Sequence, residues 1–125
     1  MILVDTSLWV DHLRTGHPIL ARVLERGLVL GHPWVIGELA LGHLGQRAEV
    51  LGLLSSLPQA TVATATEILT LIEGNELSGT GIGYVDAQLL AATRLSPGAT
   101  LWTDDRRLAL AASRLGHAFD PKACA

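Results

Sequence analysis

The chain opens Met1-Ile2-Leu3-Val4-Asp5-Thr6-Ser7-Leu8-Trp9-Val10-Asp11. Ile2-Leu3-Val4 is short, branched and apolar throughout, the pattern of a strand buried on both faces rather than one with a wet side. Asp5-Thr6-Ser7 breaks the run and supplies N-cap candidates for a helix through Leu8, Trp9 and Val10 to Leu13. The same alternation recurs downstream. Leu28-Val29-Leu30 and Ala99-Thr100-Leu101-Trp102 read as further strands, Thr61-Val62-Ala63 as a weak one and Ala118-Phe119 as a short last one. Helical spacing covers Ile19 to Arg26 (closed by Gly27), Gln46 to Leu57 (ended by Pro58), Glu67 to Glu76, Tyr84 to Leu95 and Arg106 to Leu115. Trp34 to Leu44 is apolar almost all round a helical projection and reads as a buried helix with Glu38 in its middle. Leu77 to Gly83, with Gly79, Gly81 and Gly83, reads as a mobile loop. Short strands alternating with helices point to an α/β domain with a mostly parallel sheet covered on both faces.

At 125 residues the chain has the size of one domain, residues 1–125, and is too short for two independent cores. Hydrophobic residues make up 49% and mean hydropathy is +0.38, which excludes intrinsic disorder. Only 17% of residues are charged, so part of the apolar surplus is available to cover a partner. Nine Lys and Arg against twelve Asp and Glu give a net charge of −3, which argues against a passive nucleic-acid coat. Lys122 is the only lysine, and the arginines that carry the rest suit bidentate phosphate or carboxylate contacts. Cys124 is a single cysteine and forms no internal disulfide. With no signal peptide and no apolar run approaching the ~18 residues of a membrane span, the expectation is a soluble, cytoplasmic protein without a membrane partner.

Functional crevices of parallel sheets lie beyond the carboxyl ends of the strands. Asp5 follows the first strand and Asp104-Asp105 the late one, so two acidic clusters fall where such a crevice is expected. Two further acids keep apolar company: Glu38 among Ile36, Leu39, Ala40 and Leu41, and Asp86, whose i+3 and i+4 neighbours are Leu89 and Leu90. Each has a plainer explanation. Asp5, Thr6 or Ser7, and Thr103, Asp104 or Asp105, are cap candidates; Asp86 complements a helix dipole. Glu38 caps nothing, although an arginine such as Arg14 would neutralise it. If the carboxylates converge, their repulsion calls for a cation, and oxygen-only ligation selects Mg²⁺ or Mn²⁺ over softer ions. Such a metal activates water and stabilises a leaving oxygen, the chemistry of phosphodiester hydrolysis.

Competing chemistries lack their residues. His12, His17, His32, His43 and His117 form no HExxH and one cysteine builds no structural zinc site, so these read as surface or packing histidines. Ser7, Ser55 and Ser56 lack a GxSxG elbow, and Gly79-Thr80-Gly81-Ile82-Gly83 matches neither phosphate-binding glycine pattern.

The opening eleven residues, together with Gly81-Ile82-Gly83-Tyr84-Val85-Asp86-Ala87 and Leu101-Trp102-Thr103-Asp104-Asp105-Arg106-Arg107-Leu108, resemble three motifs of the PIN-domain ribonucleases, specifically the VapC toxins of bacterial toxin–antitoxin pairs. The resemblance spans essentially the whole chain. It implies a three-layer α/β/α sandwich around a mostly parallel sheet. It also implies Mg²⁺- or Mn²⁺-dependent endonucleolytic cleavage of RNA, often tRNA or rRNA. A VapB-type antitoxin as inhibitor and a homodimer follow from the same likeness. Carried onto this chain, the acidic metal site is Asp5, Glu38, Asp86 and Asp105. Thr6, Ser7 and Thr103 are hydroxyl supports, and Asp104, at the family's variable position, is an added ligand, an outer group or a cap. Arg106, Arg107 and Arg14 are candidates to hold RNA phosphates beside the site, which reconciles the acidic net charge with an RNA substrate. The main rival is a phosphoacceptor receiver domain. It needs an acidic pair after the first strand and a mid-chain acceptor aspartate, whereas Asp5 is single and no aspartate lies between Asp11 and Asp86. A haloacid-dehalogenase-type phosphatase needs a second aspartate where Ser7 stands. A metal-free interaction module is a third reading that no missing acid requires.

Overall fold

A computed structural model describes residues 1–124, with the side chain of Cys124 outside the described part. The element order is β1 (Ile2–Val4), α1 (Thr6–Thr15), α2 (Pro18–Glu25), β2 (Val29–Leu30), α3 (Pro33–Ala40), α4 (Arg47–Ser56), α5 (Ala65–Gly74), α6 (Tyr84–Leu95), β3 (Thr100–Trp102), α7 (Arg106–Arg114) and a terminal 3₁₀ turn (Pro121–Cys124).

The sheet is parallel in every pairing, with β1 between its neighbours in the order β2-β1-β3. Ile2 and Leu3 face Val29 and Leu30 on one side, while Ile2, Leu3 and Val4 face Thr100, Leu101 and Trp102 on the other. Single parallel bridges extend both edges: Gly31 pairs Gln59 beyond β2, and Leu101 pairs Ala118 beyond β3. The chain therefore winds outward from β1 through β2 to Gln59, then crosses back to β3 and out to Ala118. Parallel connections cross over right-handed as a rule, which for this strand order assigns α1–α4 to one face and α5–α7 to the other; helices around an all-parallel sheet are the α/β class the sequence predicts. The reversal between β1 and β3 is the topological switch point.

Local sequence explains the elements. The β1 run is buried at all three positions because both faces of a parallel sheet are covered. Asp5 caps α1, and Pro18 and Pro33 sit in the first turns of α2 and α3, where proline's missing N–H costs nothing. Thr64 and Glu67 form a reciprocal capping box on α5. Trp102 closes the core between His17, in edge-on contact at 5.1 Å between ring centroids, and Phe119 at 5.0 Å. His32 is a fully buried packing histidine whose Nδ1 accepts from Trp34 N–H at 3.0 Å.

Two expectations are corrected. Thr61-Val62-Ala63 is not a strand. The pairing occurs earlier, where Gly31 N–H donates to Pro58 O at 2.8 Å and Ala60 N–H to Gly31 O at 2.8 Å; Thr61 N–H then turns away to Ser96 Oγ at 3.0 Å. The helix from Trp34 is not buried all round. It ends at Ala40, and only Val35 and Leu39 are buried, while Trp34 and Glu38 face solvent and Leu41 just beyond is 91% exposed. An apolar helical projection shows which side chains can be buried; on α3 the outer ones, Trp34 and Glu38, stay exposed.

Candidate active site

The first acid is placed by the sheet itself. Asp5 N–H donates to Trp102 O at 2.9 Å, continuing the β1–β3 ladder one residue past β1, so the Asp5 carboxylate emerges at the switch point. The side chain is buried and both its oxygens are engaged: Oδ1 accepts from Thr6 N–H and Oδ2 from the Thr103 hydroxyl, each at 2.7 Å. The Thr103 hydroxyl also accepts from Asp105 N–H at 3.0 Å, so one residue ties the ends of β1 and β3 together.

Asp105 caps α7, its Oδ1 accepting from Leu108 N–H at 2.9 Å. Asp86 lies in the first turn of α6, with Oδ2 accepting from Gly83 N–H at 3.1 Å. Burial pushes its carboxyl above the usual range. The Gly83 hydrogen bond offsets this in part, and the negative charges of Asp5 and Asp105 push it further up. Those last two effects mean that the three aspartates feel one another. Glu38 is exposed on α3 and accepts a long hydrogen bond from Thr6 Oγ1 at 3.4 Å. The costly buried carboxylate expected at this position is absent for the reason α3 itself is not buried. Among the described residues no ion pair joins Glu38 to Arg14 or to any other cation.

Asp5, Thr6, Ser7, Glu38, Asp86, Asp104 and Asp105, with Val85, line one open cleft of about 540 Å³. All four predicted acids are thus brought together from four separate elements, and Asp104 joins them. Among the described residues no three carboxylates, alone or with a histidine, stand close enough to grip one ion directly. The donors on the lining are nevertheless oxygens only, without histidine or cysteine. Mg²⁺ takes one or two carboxylates and keeps its waters, so the cleft suits a hard ion in kind.

The three arginines fare differently. Arg107, second in α7, lies across the glycine loop: a side-chain carbon at Gly81 would sit 2.7 Å from its Nη1 and 2.8 Å from its Cδ. Gly81 also has φ of +88°, so no L side chain is at ease there. The loop packs against the Arg107 side chain, a contact that the glycine spacing alone does not reveal. Arg14 lines a neighbouring cleft of about 510 Å³ that is walled by Val10, Leu13, Leu39, Leu44 and Val50 and shares Glu38 with the acidic one. Arg106 is exposed at the start of α7.

Fold and cleft together define a PIN-like α/β domain with carboxylates gathered at its switch point. No protein-family model matches the chain. Ribonuclease VapC32 of Mycobacterium tuberculosis, in strain CDC 1551 / Oshkosh and in strain ATCC 25618 / H37Rv, is 48% identical to it over 119 residues, covering 95% of this chain and 96% of the relative. The chain belongs to the VapC family of ribonuclease toxins.

Proposed function

We propose that this VapC ribonuclease is a Mg²⁺- or Mn²⁺-dependent endonuclease, the toxin of a toxin–antitoxin pair, which hydrolyses phosphodiester bonds of tRNA or rRNA in the cytoplasm. The observation that carries the reading is the cleft, in which Asp5, Glu38, Asp86 and Asp105 share one space at the switch point. A divalent ion held there supplies a Lewis acid and a more acidic water at neutral pH. The chain's own residues do the rest. Asp5, Glu38, Asp86 and Asp105 would hold the ion, and Asp104, on the same lining, would be an added ligand or an outer group. Thr103 holds Asp5 and the Asp105 backbone in register, so the carboxylates meet substrate preorganised. Thr6 links Asp5 to Glu38, and Ser7 adds a hydroxyl at the edge of the cleft. Arg107, packed against the glycine loop, with Arg106 and Arg14, holds RNA phosphates and offsets the local negative charge.

Leu41, Leu53, Leu69 and Leu110, each more than half exposed, supply apolar surface for a second copy of the chain and for a VapB-type antitoxin. The neighbouring apolar cleft suits an antitoxin helix laid beside the acids. A receiver-type signalling domain is not favoured. The test is an end-labelled tRNA and rRNA pool incubated with the purified chain. Cleavage in Mg²⁺ or Mn²⁺ that stops in excess EDTA and in Asp5→Asn is the expected result. Cleavage that continues in EDTA overturns the metal reading, and no RNA cleavage with either ion overturns the enzymatic one.

A further inference from the structure

Trp34 and Tyr84 belong to neither the core nor the acidic lining. Trp34 is the second residue of α3 and Tyr84 the first of α6, and their rings meet across the two helices with centroids 5.8 Å apart. Their planes are tilted by 58°, which leaves an open corner rather than a mutually stacked pair, so each ring keeps π surface for a third. Both are solvent-facing, at 38% and 47% exposure, whereas Trp9 and Trp102 are 2% and 3% exposed. The core does not account for them.

Their position does. Glu38 follows Trp34 by four residues and so lies on the same face of α3 one turn away. Val85 and Asp86 follow Tyr84 directly on α6 and line the cleft. Through Trp34 the aromatic corner therefore stands about one helical turn, ~5.4 Å along the α3 axis, from Glu38 on the cleft lining. Exposed aromatic rings beside a phosphodiester site are the chemistry of an unpaired nucleobase: every base has a π face, and stacking is tolerant of sequence. It also fits the charge. A chain of net charge −3 gains little from bulk attraction to RNA, so stacking has binding to supply.

We propose that Trp34 and Tyr84 form a stacking site for one unpaired base of the RNA, next to the phosphate that is cut. This rests on the ribonuclease reading above and adds to it two residues that position the RNA.

The test uses the full chain in EDTA, where binding is separated from cleavage, titrated with a fluorescein-labelled oligoadenylate decamer and with decamers carrying one abasic position. Trp34 emission is expected to quench on binding, since the other two tryptophans are buried. Trp34→Leu and Tyr84→Leu, which keep apolar bulk but remove the ring, are expected to weaken binding roughly 5- to 100-fold. Trp34→Phe and Tyr84→Phe are expected to retain most of it, which also controls for folding. At one position the abasic decamer should weaken binding to the parent chain and not weaken it further in Trp34→Leu. Additive losses, or unchanged affinity in both leucine variants, overturn the proposal. So does a change in oligomeric state by light scattering with RNA affinity intact, which would give this corner to a second copy of the chain. If the parent chain cleaves RNA in Mg²⁺ while the leucine variants bind normally, only the stacking site fails; if it cleaves no RNA, the ribonuclease reading fails first and the stacking site with it.

Discussion

Asp105 and Glu38 reach the same cleft by opposite routes. Asp105 caps α7, holding Leu108 N–H, and its place follows from the end of β3. Glu38 stands in the body of α3, exposed, with one long hydrogen bond to Thr6. Asp5 and Asp86 resemble Asp105, since each also accepts a backbone N–H at a helix start. Three of the four acids therefore have a structural duty that accounts for their presence, to which the proposed catalytic role would be added. Glu38 has no such duty. Capping and function are not exclusive explanations for a carboxylate at the end of a strand, and the residue that caps nothing separates them.

Substitutions sharpen this contrast, beginning with the largest effect. Glu38→Gln is expected to lower RNA cleavage by about 10²-fold or more, while its unfolding free energy stays within about 0.5 kcal/mol of the parent, as is typical of surface changes. A variant that cuts normally would return Glu38 to an ordinary solvated face. Thr103→Val removes the hydroxyl that joins Asp5 to the Asp105 backbone and is expected to cost about 10- to 100-fold in activity, with Thr103→Ser restoring most of it. Equal losses for valine and serine would assign the effect to packing. Asp105→Ala is expected to destabilise the fold by about 1 kcal/mol in urea melts, whereas Asp105→Asn keeps a cap acceptor and most of that stability while losing activity.

The smallest effect concerns His32. Burial holds its imidazole below the ordinary value of 6.5, so the folded chain keeps it neutral while the unfolded chain takes up a proton. Stability is therefore expected to fall as pH drops through about 6.5, because the unfolded state binds more protons there. His32→Asn preserves an acceptor for Trp34 N–H and is expected to flatten the slope between about pH 7.5 and 5.5. An unchanged slope would remove His32 as its source.

Much of this was legible in the residues themselves. Ile2-Leu3-Val4 and Leu101-Trp102 announce buried strands by composition, and the acids that follow them mark the crevice before any coordinates are known. The helices from Pro18, Arg47, Tyr84 and Arg106 lie close to where spacing and punctuation put them. What escaped depends on distant neighbours. The strand expected at Thr61 fails because its pairing with Gly31 is used up at Pro58–Ala60. The burial of α3 fails because periodicity says nothing of whether another layer arrives. Glycine spacing around Gly81 reads as a mobile loop, and only the folded chain brings Arg107 across it.

The most direct test of the shared acidic site is Mn²⁺ binding to the full chain, followed by electron paramagnetic resonance. Saturable binding that is lost or weakened at least about tenfold in Asp5→Asn and in Asp86→Asn is the expected result. Equal Mn²⁺ affinity in the parent chain and both variants would contradict it.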